Sequence, residues 1–375
     1  MEYIVREVHN RRAMSDFLRL PRLIYCDDPH WVQPLDAEVR RTLDAKRNPY
    51  FIHASLNLFV CYAGRDIVAR TALIINHNHE RKYGVRSAFF GFFESVDDRK
   101  AVKVLFEAVI RHCRSGDVEL LEGPFNPNHY SELGMQIDRF DTPVSFFQTH
   151  NPAYYPALLE GIGFRRATVL FTGRNDRVRE FIKNRYGNHA PFAPSQGFTV
   201  RHLDPHHLEA DLEKMRSVFN DAFSSNWHFL DVSAEEYRFS AKFLSLVADP
   251  EMVVIVEHEG NAVGVLMCVL DINPLLKDLH GKVGPLGYLK FRYRRSTVRR
   301  LIVYAVGIRK NFQRSCVYKA LLDAMCRMAV NFEAAETTWM SPKNLLAVRA
   351  AERLGMKEDK HFAVYEMPLD KGGVA

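Results

Sequence analysis

The chain has little that would mark a metal or disulfide scaffold. Its six cysteines (Cys26, Cys61, Cys113, Cys268, Cys316 and Cys326) include no C-x-x-C pair, so neither a zinc site nor a disulfide framework is indicated, and no metal is expected. It also lacks a long apolar run: stretches such as Ala262–Leu270 fall far short of the roughly 20 residues that span a bilayer. The opening MEYIVREVHNRR carries charges within its first apolar segment, so no signal peptide is expected, and the default home is a reducing cytoplasm. Most telling is a missing charge. From Leu279 to Leu322 there is no Asp or Glu, while 11 Lys and Arg stand in those 44 residues. The chain's net charge of +6 is thus one basic window on a background of −5.

What is present is globular. The 375 residues, 47% hydrophobic and 26% charged, are enough for two domains with separate cores, and the composition excludes a mostly disordered chain. Apolar spacing predicts the same order of elements twice, strand–helix–three strands–helix–strand–helix–strand. In the first half the strands are 3–8, 56–62, 66–75, 87–94, 118–121 and 167–172, with helices at 12–25, 99–113 and 154–160. In the second half strands are expected at 198–203, 252–257, 262–270, 301–306, 337–340 and 362–367, and helices at 207–222, 316–328 and 345–353. The Pro- and Gly-bearing segment 188–197 reads as a linker. The expected fold is therefore α/β with mixed sheets, in two domains, 1–190 and 191–375.

Within the basic window, Pro285–Arg295 mixes aromatic residues with cations. That is the composition of a segment resting on an anionic membrane, and Lys290–Arg300 is the expected contact. Nucleic acid is not expected, because no nucleic-acid module is present and the remainder of the chain is acidic. A peripheral place on the inner face of the membrane follows as the expectation.

The element order, with the stretch Asn344-Leu-Leu-Ala-Val-Arg-Ala-Ala-Glu-Arg-Leu-Gly-Met356, resembles the GNAT acyl-CoA N-acyltransferases. LPRLIYCDDPHWVQPL (20–35), RNPYFIHA (47–54), FFGFFESVDD (89–98), EGPFNPNHYSELGMQIDRFDTP (122–143), HNPAYYPALLEGIGF (150–164) and SNWHFLDVSAEEY (225–237) resemble a narrower group, the YghO-like double-GNAT proteins of bacteria. Bacterial ceramide synthase belongs to that group. The resemblance implies two tandem GNAT-like domains, acyl-CoA as a co-substrate with no tightly bound cofactor, and a lipid amine (sphinganine or 3-oxo-sphinganine) as acceptor. Two other readings stay open: an N-acetyltransferase of a small or protein amine, and a non-catalytic double-GNAT protein that binds ligand.

Amide formation from a thioester requires that the amine lose a proton, the oxyanion be stabilised and the thiolate be held or protonated. The resemblance puts a base at the end of the fourth strand, which is Glu94. His53, an imidazole titrating near neutrality, is a second base candidate. The family's general-acid tyrosine usually lies one turn before the helix-ending glycine. Here that turn holds Leu159 and Ala351, and Tyr155, one turn earlier, is a displaced candidate. His129 lies in the loop after the fifth predicted strand and joins the catalytic candidates. Tyr50, Phe51, Glu122, Asn126, Asn128, Tyr130 and Trp227 are candidates for substrate binding. Val306, Gly307, Ile308, Arg309, Gln313, Arg314 and Asn344 occupy the family's cofactor positions, although Cys316 and Tyr318 stand where its loop has glycines. Asp97-Asp98-Arg99-Lys100 holds the corresponding place in the first half, and its acids would repel a pyrophosphate. The expectation is that the second half grips the acyl donor while the first supplies acid–base groups.

Overall fold

In the computed structural model the described residues are 2–187, 192–195, 197–245 and 247–369. Of the predicted linker at 188–197, residues 192–195 and 197 are described, and residues 188–191 and 196 lie outside the described set. The chain forms two compact units. Unit 1 comprises the chain up to Leu170, Leu276–Val283 and the residues from Lys360 onward, and unit 2 comprises Phe171–Leu275 and Gly284–Asp359.

The first part of the chain folds as β1 (Tyr3–Glu7), α1 (Arg11–Ile24), α2 (Asp36–Thr42), β2 (Ala54–Ala63), β3 (Asp66–Asn76), α3 (His77–Tyr83), β4 (Ser87–Ser95) and α4 (Arg99–Ser115). β5 (Leu120–Gly123) follows, then three two-residue strands, β6 (Phe125–Asn126), β7 (Glu132–Leu133) and β8 (Met135–Gln136), and α5 (Tyr155–Gly161) and β9 (Arg165–Asn175). The second part runs α6 (Val178–Tyr186), β10 (Phe198–His202), α7 (Leu208–Phe223), α8 (Ala234–Leu244), β11 (Val253–His258), β12 (Asn261–Leu270), α9 (Asn273–Lys277) and α10 (Pro285–Arg294). It ends with β13 (Arg300–Ile308), α11 (Val317–Ala329), β14 (Ala334–Thr337), α12 (Leu345–Arg353) and β15 (Lys357–Pro368).

The predicted repeat is visible in the strand order. Unit 1 pairs β1-β2-β3-β4-β5, antiparallel except for the parallel β4–β5 step. Unit 2 pairs β10-β11-β12-β13-β14, again with its one parallel step at β13–β14. The sixth strand of each sheet departs from expectation. β15, near the C-terminus, supplies it in unit 1, antiparallel to β5 with Tyr365 opposite Gly123. In unit 2 it is the end of β9, with Asn175 opposite Ala335 on β14. The expected strand at 337–340 is also displaced: Ala334–Thr337 pairs with β13, and Met340 makes a single bridge to Phe171.

The strands of each unit are covered on both faces. In unit 1, Val102, Leu105, Phe106 and Val109 recur at helical spacing on α4 and lie in one core with Phe90, Phe93 and Phe164. Burying each such aromatic ring contributes roughly 1.5–3 kcal/mol. Phe17 of α1 meets Leu58, Val60 and Ala72 in a separate core cluster. In unit 2, Val317, Ala320, Leu321 and Ala324 of α11 share a core with Val256, Leu266 and Leu301, and Met215 and Val218 of α7 join Ile255 and Met267.

Candidate active site

The fourth strand of each unit carries a bulge next to its parallel step. On β4, Ala72 faces Gly91 and Arg70 faces Glu94, so one extra residue enters at Phe92–Phe93. Phe92 there has φ +49°, an uncommon region for a residue with a Cβ. On β13, Cys268 faces Val303 and Met267 faces Ala305, so the extra residue is Tyr304. The first paired residue past the bulge is Glu94 in unit 1 and Ala305 in unit 2. Only unit 1 places a carboxylate there.

Glu94 is held by groups from three elements. Tyr25, the residue that ends α1, donates its hydroxyl to Oε2 at 2.8 Å, and Tyr155, the first residue of α5, donates to the same oxygen at 2.7 Å. The Arg70 guanidinium lies 3.6 Å from Oε1. It is itself buried, donates to the Phe17 carbonyl at 2.5 Å and lies over the Phe17 ring. Burial raises the Glu94 pKa above its ordinary value, against the lowering effects of Arg70 and the two hydroxyls. Burial likewise lowers the Arg70 pKa and drives both tyrosines well up. The Tyr155 hydroxyl also accepts from the Ser95 N–H at 2.8 Å. Beside this group, His150 Nε2 meets Asp28 Oδ2 at 2.7 Å, and the Tyr25 ring stacks on Trp31.

The structure thus brings Glu94 and Tyr155 together. It adds Tyr25, Arg70, His150 and Asp28, which the sequence reading did not single out. Arg70 had a legible signal: it is a lone charge in the apolar run of β3 and needs a partner if buried.

The other first-half candidates gather elsewhere in unit 1. His53 Nδ1 faces Asn76 Oδ1 at 3.3 Å and its ring meets Tyr50 edge-on, while Tyr50 meets Phe51. His129 is buried among Phe89, Phe125 and His79. Glu122 is buried on β5 opposite Glu366. Asn128 Oδ1 accepts from Tyr130 N–H at 3.2 Å and from the Ser131 hydroxyl at 2.9 Å, closing its own turn. Asn126 Oδ1 accepts from the Phe92 N–H at 2.6 Å, so the bulge of β4 is already bonded. A Cβ on Gly91 would overlap the Phe125 carbonyl, and only glycine lets that segment lie there. Trp227 belongs to unit 2 and is 44% exposed against His228.

The start of the helix after the bulged strand differs between the units. In unit 1, Asp98 caps α4 and accepts from Lys100 N–H and Ala101 N–H at 2.9 and 3.3 Å. A carboxylate thus takes donors that a phosphate would need. In unit 2, the Cys316 side chain makes no such cap on α11, and the neutral Ser315 hydroxyl accepts from Val317 N–H. Tyr318, one of the two residues replacing glycine, packs its ring on the unit 2 core. Lys310, Gln313 and Arg314 are exposed just before the helix. These features fit a pyrophosphate. Not every candidate points to that use: Arg309 donates to the Ala262 carbonyl and the Ser217 hydroxyl, and Asn344 caps α12. Val306, Gly307 and Ile308 are paired along β12, opposite Leu266, Val265 and Gly264. Among the described residues, no group of three His, Cys, Asp or Glu could hold a metal ion, and no helix is long and apolar enough to cross a membrane.

No protein-family model matches the chain. Bacterial ceramide synthase of Caulobacter vibrioides is 30% identical over 368 residues, with 95% of each chain covered. Protein YghO of Escherichia coli is 26% identical over 385 residues, covering 98% of this chain and 95% of YghO. Among solved structures, a tandem GNAT protein from the clavulanic acid biosynthesis pathway matches all of both chains with a TM-score of 0.55 at 12% identity. The fold is a tandem GNAT fold, as the resemblance implies.

Proposed function

Because this chain belongs to the tandem-GNAT N-acyltransferase family of bacterial ceramide synthase and YghO, we propose that it joins a fatty acyl group to a long-chain lipid amine. The observation that carries the reading is the 30% identity to bacterial ceramide synthase over 95% of both chains. The amine on this reading is a sphingoid base, sphinganine or 3-oxo-sphinganine, and the donor is a fatty acyl-CoA. A peripheral position at the inner membrane face accompanies it, since such a base is a membrane amphiphile.

In this reading the thioester supplies the activated acyl carbon, and the protein manages protons. Glu94 is the acid–base group. Burial has moved its pKa toward the range where a carboxyl both accepts and returns a proton. Tyr25 and Tyr155 orient it, and the hydroxyl of each can relay a proton to it. Taken by itself, unit 2 offers an anion site at the α11 start, with the exposed Lys310 and Arg314 beside it.

The test is direct. Purified full-length protein is incubated with acyl-CoAs of increasing chain length and either sphingoid base, and the amide is sought by mass spectrometry. Long-chain amide is the expected product. Turnover with acetyl-CoA alone would replace this reading with an acetyltransferase, and no amide with any donor, acyl carrier protein thioesters included, would replace it with a binding protein.

A further inference from the structure

The acid-free window contains a helix that buries none of its residues, α10. Leu286 is 82% exposed, Leu289 64% and Tyr293 82%. At 3.6 residues per turn these positions, i, i+3 and i+7, fall on one edge of the helix. Lys290 and Arg294 flank that edge on one side, and Arg292 and Tyr288 flank it on the other. Phe291 and Gly287, on the opposite side, are half-buried. The helix therefore shows solvent an apolar stripe bordered by cations and turns its remaining face inward.

Folding narrows the basic contact expected at Lys290–Arg300. Arg295 pairs with Asp249 at 2.6 Å, and Arg300 pairs with Asp271 and Glu336 at 3.3 and 3.5 Å. Arg299 lies 3.9 Å from Glu333. On the helix itself Lys290 and Arg292 are exposed beside the stripe, and Arg294 is half-buried.

We propose that α10 docks the protein on an anionic lipid surface, with Leu286, Leu289 and Tyr293 entering the interface and the exposed Lys290 and Arg292 meeting the headgroups. The charge is complementary, since no acid stands in the segment to repel an anionic leaflet. The stripe decides the kind of anion. A phosphate backbone would leave two leucines in water, whereas a bilayer takes them out of it and lets the long cationic side chains reach back to the headgroup level. Tyrosine, with an apolar ring and a polar tip, suits that depth. The docking goes beyond the acyl-transfer reading and does not depend on which amine is acylated.

Flotation of the full-length protein tests it, with vesicles of phosphatidylcholine alone or mixed with phosphatidylglycerol. Binding to the mixed vesicles is expected, weakening with added salt. Leu286→Ser with Leu289→Ser should reduce it by roughly tenfold for each leucine, at about 1.4 kcal/mol per tenfold. Lys290→Glu with Arg292→Glu should abolish the preference for phosphatidylglycerol. The substituted side chains are exposed, so melting curves should match the parent; should the double-leucine chain fail to fold, Tyr293→Ser makes the same test at one exposed ring. A parent chain that stays unbound with the mixed vesicles overturns the proposal, as does a leucine variant that floats like the parent. An oligonucleotide gel shift lost in the charge-reversed variant but kept in the leucine variant would assign the helix to nucleic acid. Amide synthesis from short, soluble substrates should be unchanged in the leucine variant, which separates failure of docking from failure of the acyl-transfer reading.

Discussion

Replacing Glu94 with Gln tests the acid–base assignment while keeping the size and shape of the side chain. The amide keeps the shape of the carboxyl and can still accept from the Tyr25 and Tyr155 hydroxyls, now 2.8 and 2.7 Å from Oε2. What it removes is a buried charge. The raised pKa of Glu94 means that the cost of burying that charge exceeds the combined help of Arg70 and the two hydroxyls. Losing the charge also leaves the buried Arg70 guanidinium without its carboxylate, with only the Phe17 carbonyl as acceptor, so Glu94→Gln should cost about 3 kcal/mol. Removing the cation is the mirror case: Arg70→Met strands the carboxylate and should cost about 3–5 kcal/mol. If Glu94 moves the reaction's proton, Glu94→Gln should lower kcat by about 10²–10⁴-fold while the protein stays folded. The acidic limb of the rate profile, which in the parent lies above the ordinary carboxyl range, should vanish. The stability profile has a definite sign as well. Because the folded pKa lies above the unfolded one, this group's contribution is fully present below the unfolded value and is lost as pH rises through the folded value. Glutamine should erase that part of the pH dependence. The measurements are amide formation against pH by mass spectrometry and thermal melts over the same range. A glutamine variant with near-parental kcat, or one that keeps the acidic limb, would refute the reasoning.

Tyr155→Phe should cost about 1–3 kcal/mol, because it leaves the buried Ser95 N–H without its acceptor as well as removing a donor to Glu94. Tyr25→Phe loses its 2.8 Å bond to Glu94 and a 3.3 Å contact to the His150 carbonyl, and should cost about 1 kcal/mol; denaturant titrations giving the reverse order would contradict the assignment. Arg314→Ala should raise KM for acyl-CoA by up to about fivefold with kcat unchanged. Arg309→Ala should instead lower the melting temperature, since its guanidinium ties Ala262 and Ser217 together. In Gly264→Ala the new methyl would overlap the Val317 side chain at the start of α11, costing about 1–3 kcal/mol; adding Val317→Ala should restore part of that loss in a double-mutant cycle.

The elements were legible because their signals are local. Helix 99–113 is observed as Arg99–Ser115, strand 66–75 as Asp66–Asn76, and helix 345–353 at the same bounds. Apolar spacing reports which face of a helix or strand is buried, and that is what these stretches contain. Trading of the closing strands was not legible. β15 and the end of β9 join their sheets through backbone hydrogen bonds, which carry little residue-type preference. The displaced strand at Ala334–Thr337 has the same cause: the run is apolar enough at either register, and pairing to β13 selects one.

The site divides in the same way. By itself the sequence determined the tandem repeat, the carboxylate ending the fourth strand, the acids at the start of α4 and the acid-free window, since each is a matter of which residues stand near one another in the chain. Only the tertiary structure decided that Glu94, its side chain 14% exposed, lies between two tyrosines 69 and 61 positions away and opposite an arginine from the neighbouring strand. It also decided that Asn126 bonds the bulge of β4, that Arg295, Arg299 and Arg300 enter ion pairs, and that α10 presents an exposed apolar edge with Lys290 and Arg292 beside it. The physical reason is that a charge acquires its pKa and its role from burial and from its neighbours. Both depend on strand pairings and helix packing between distant parts of the chain.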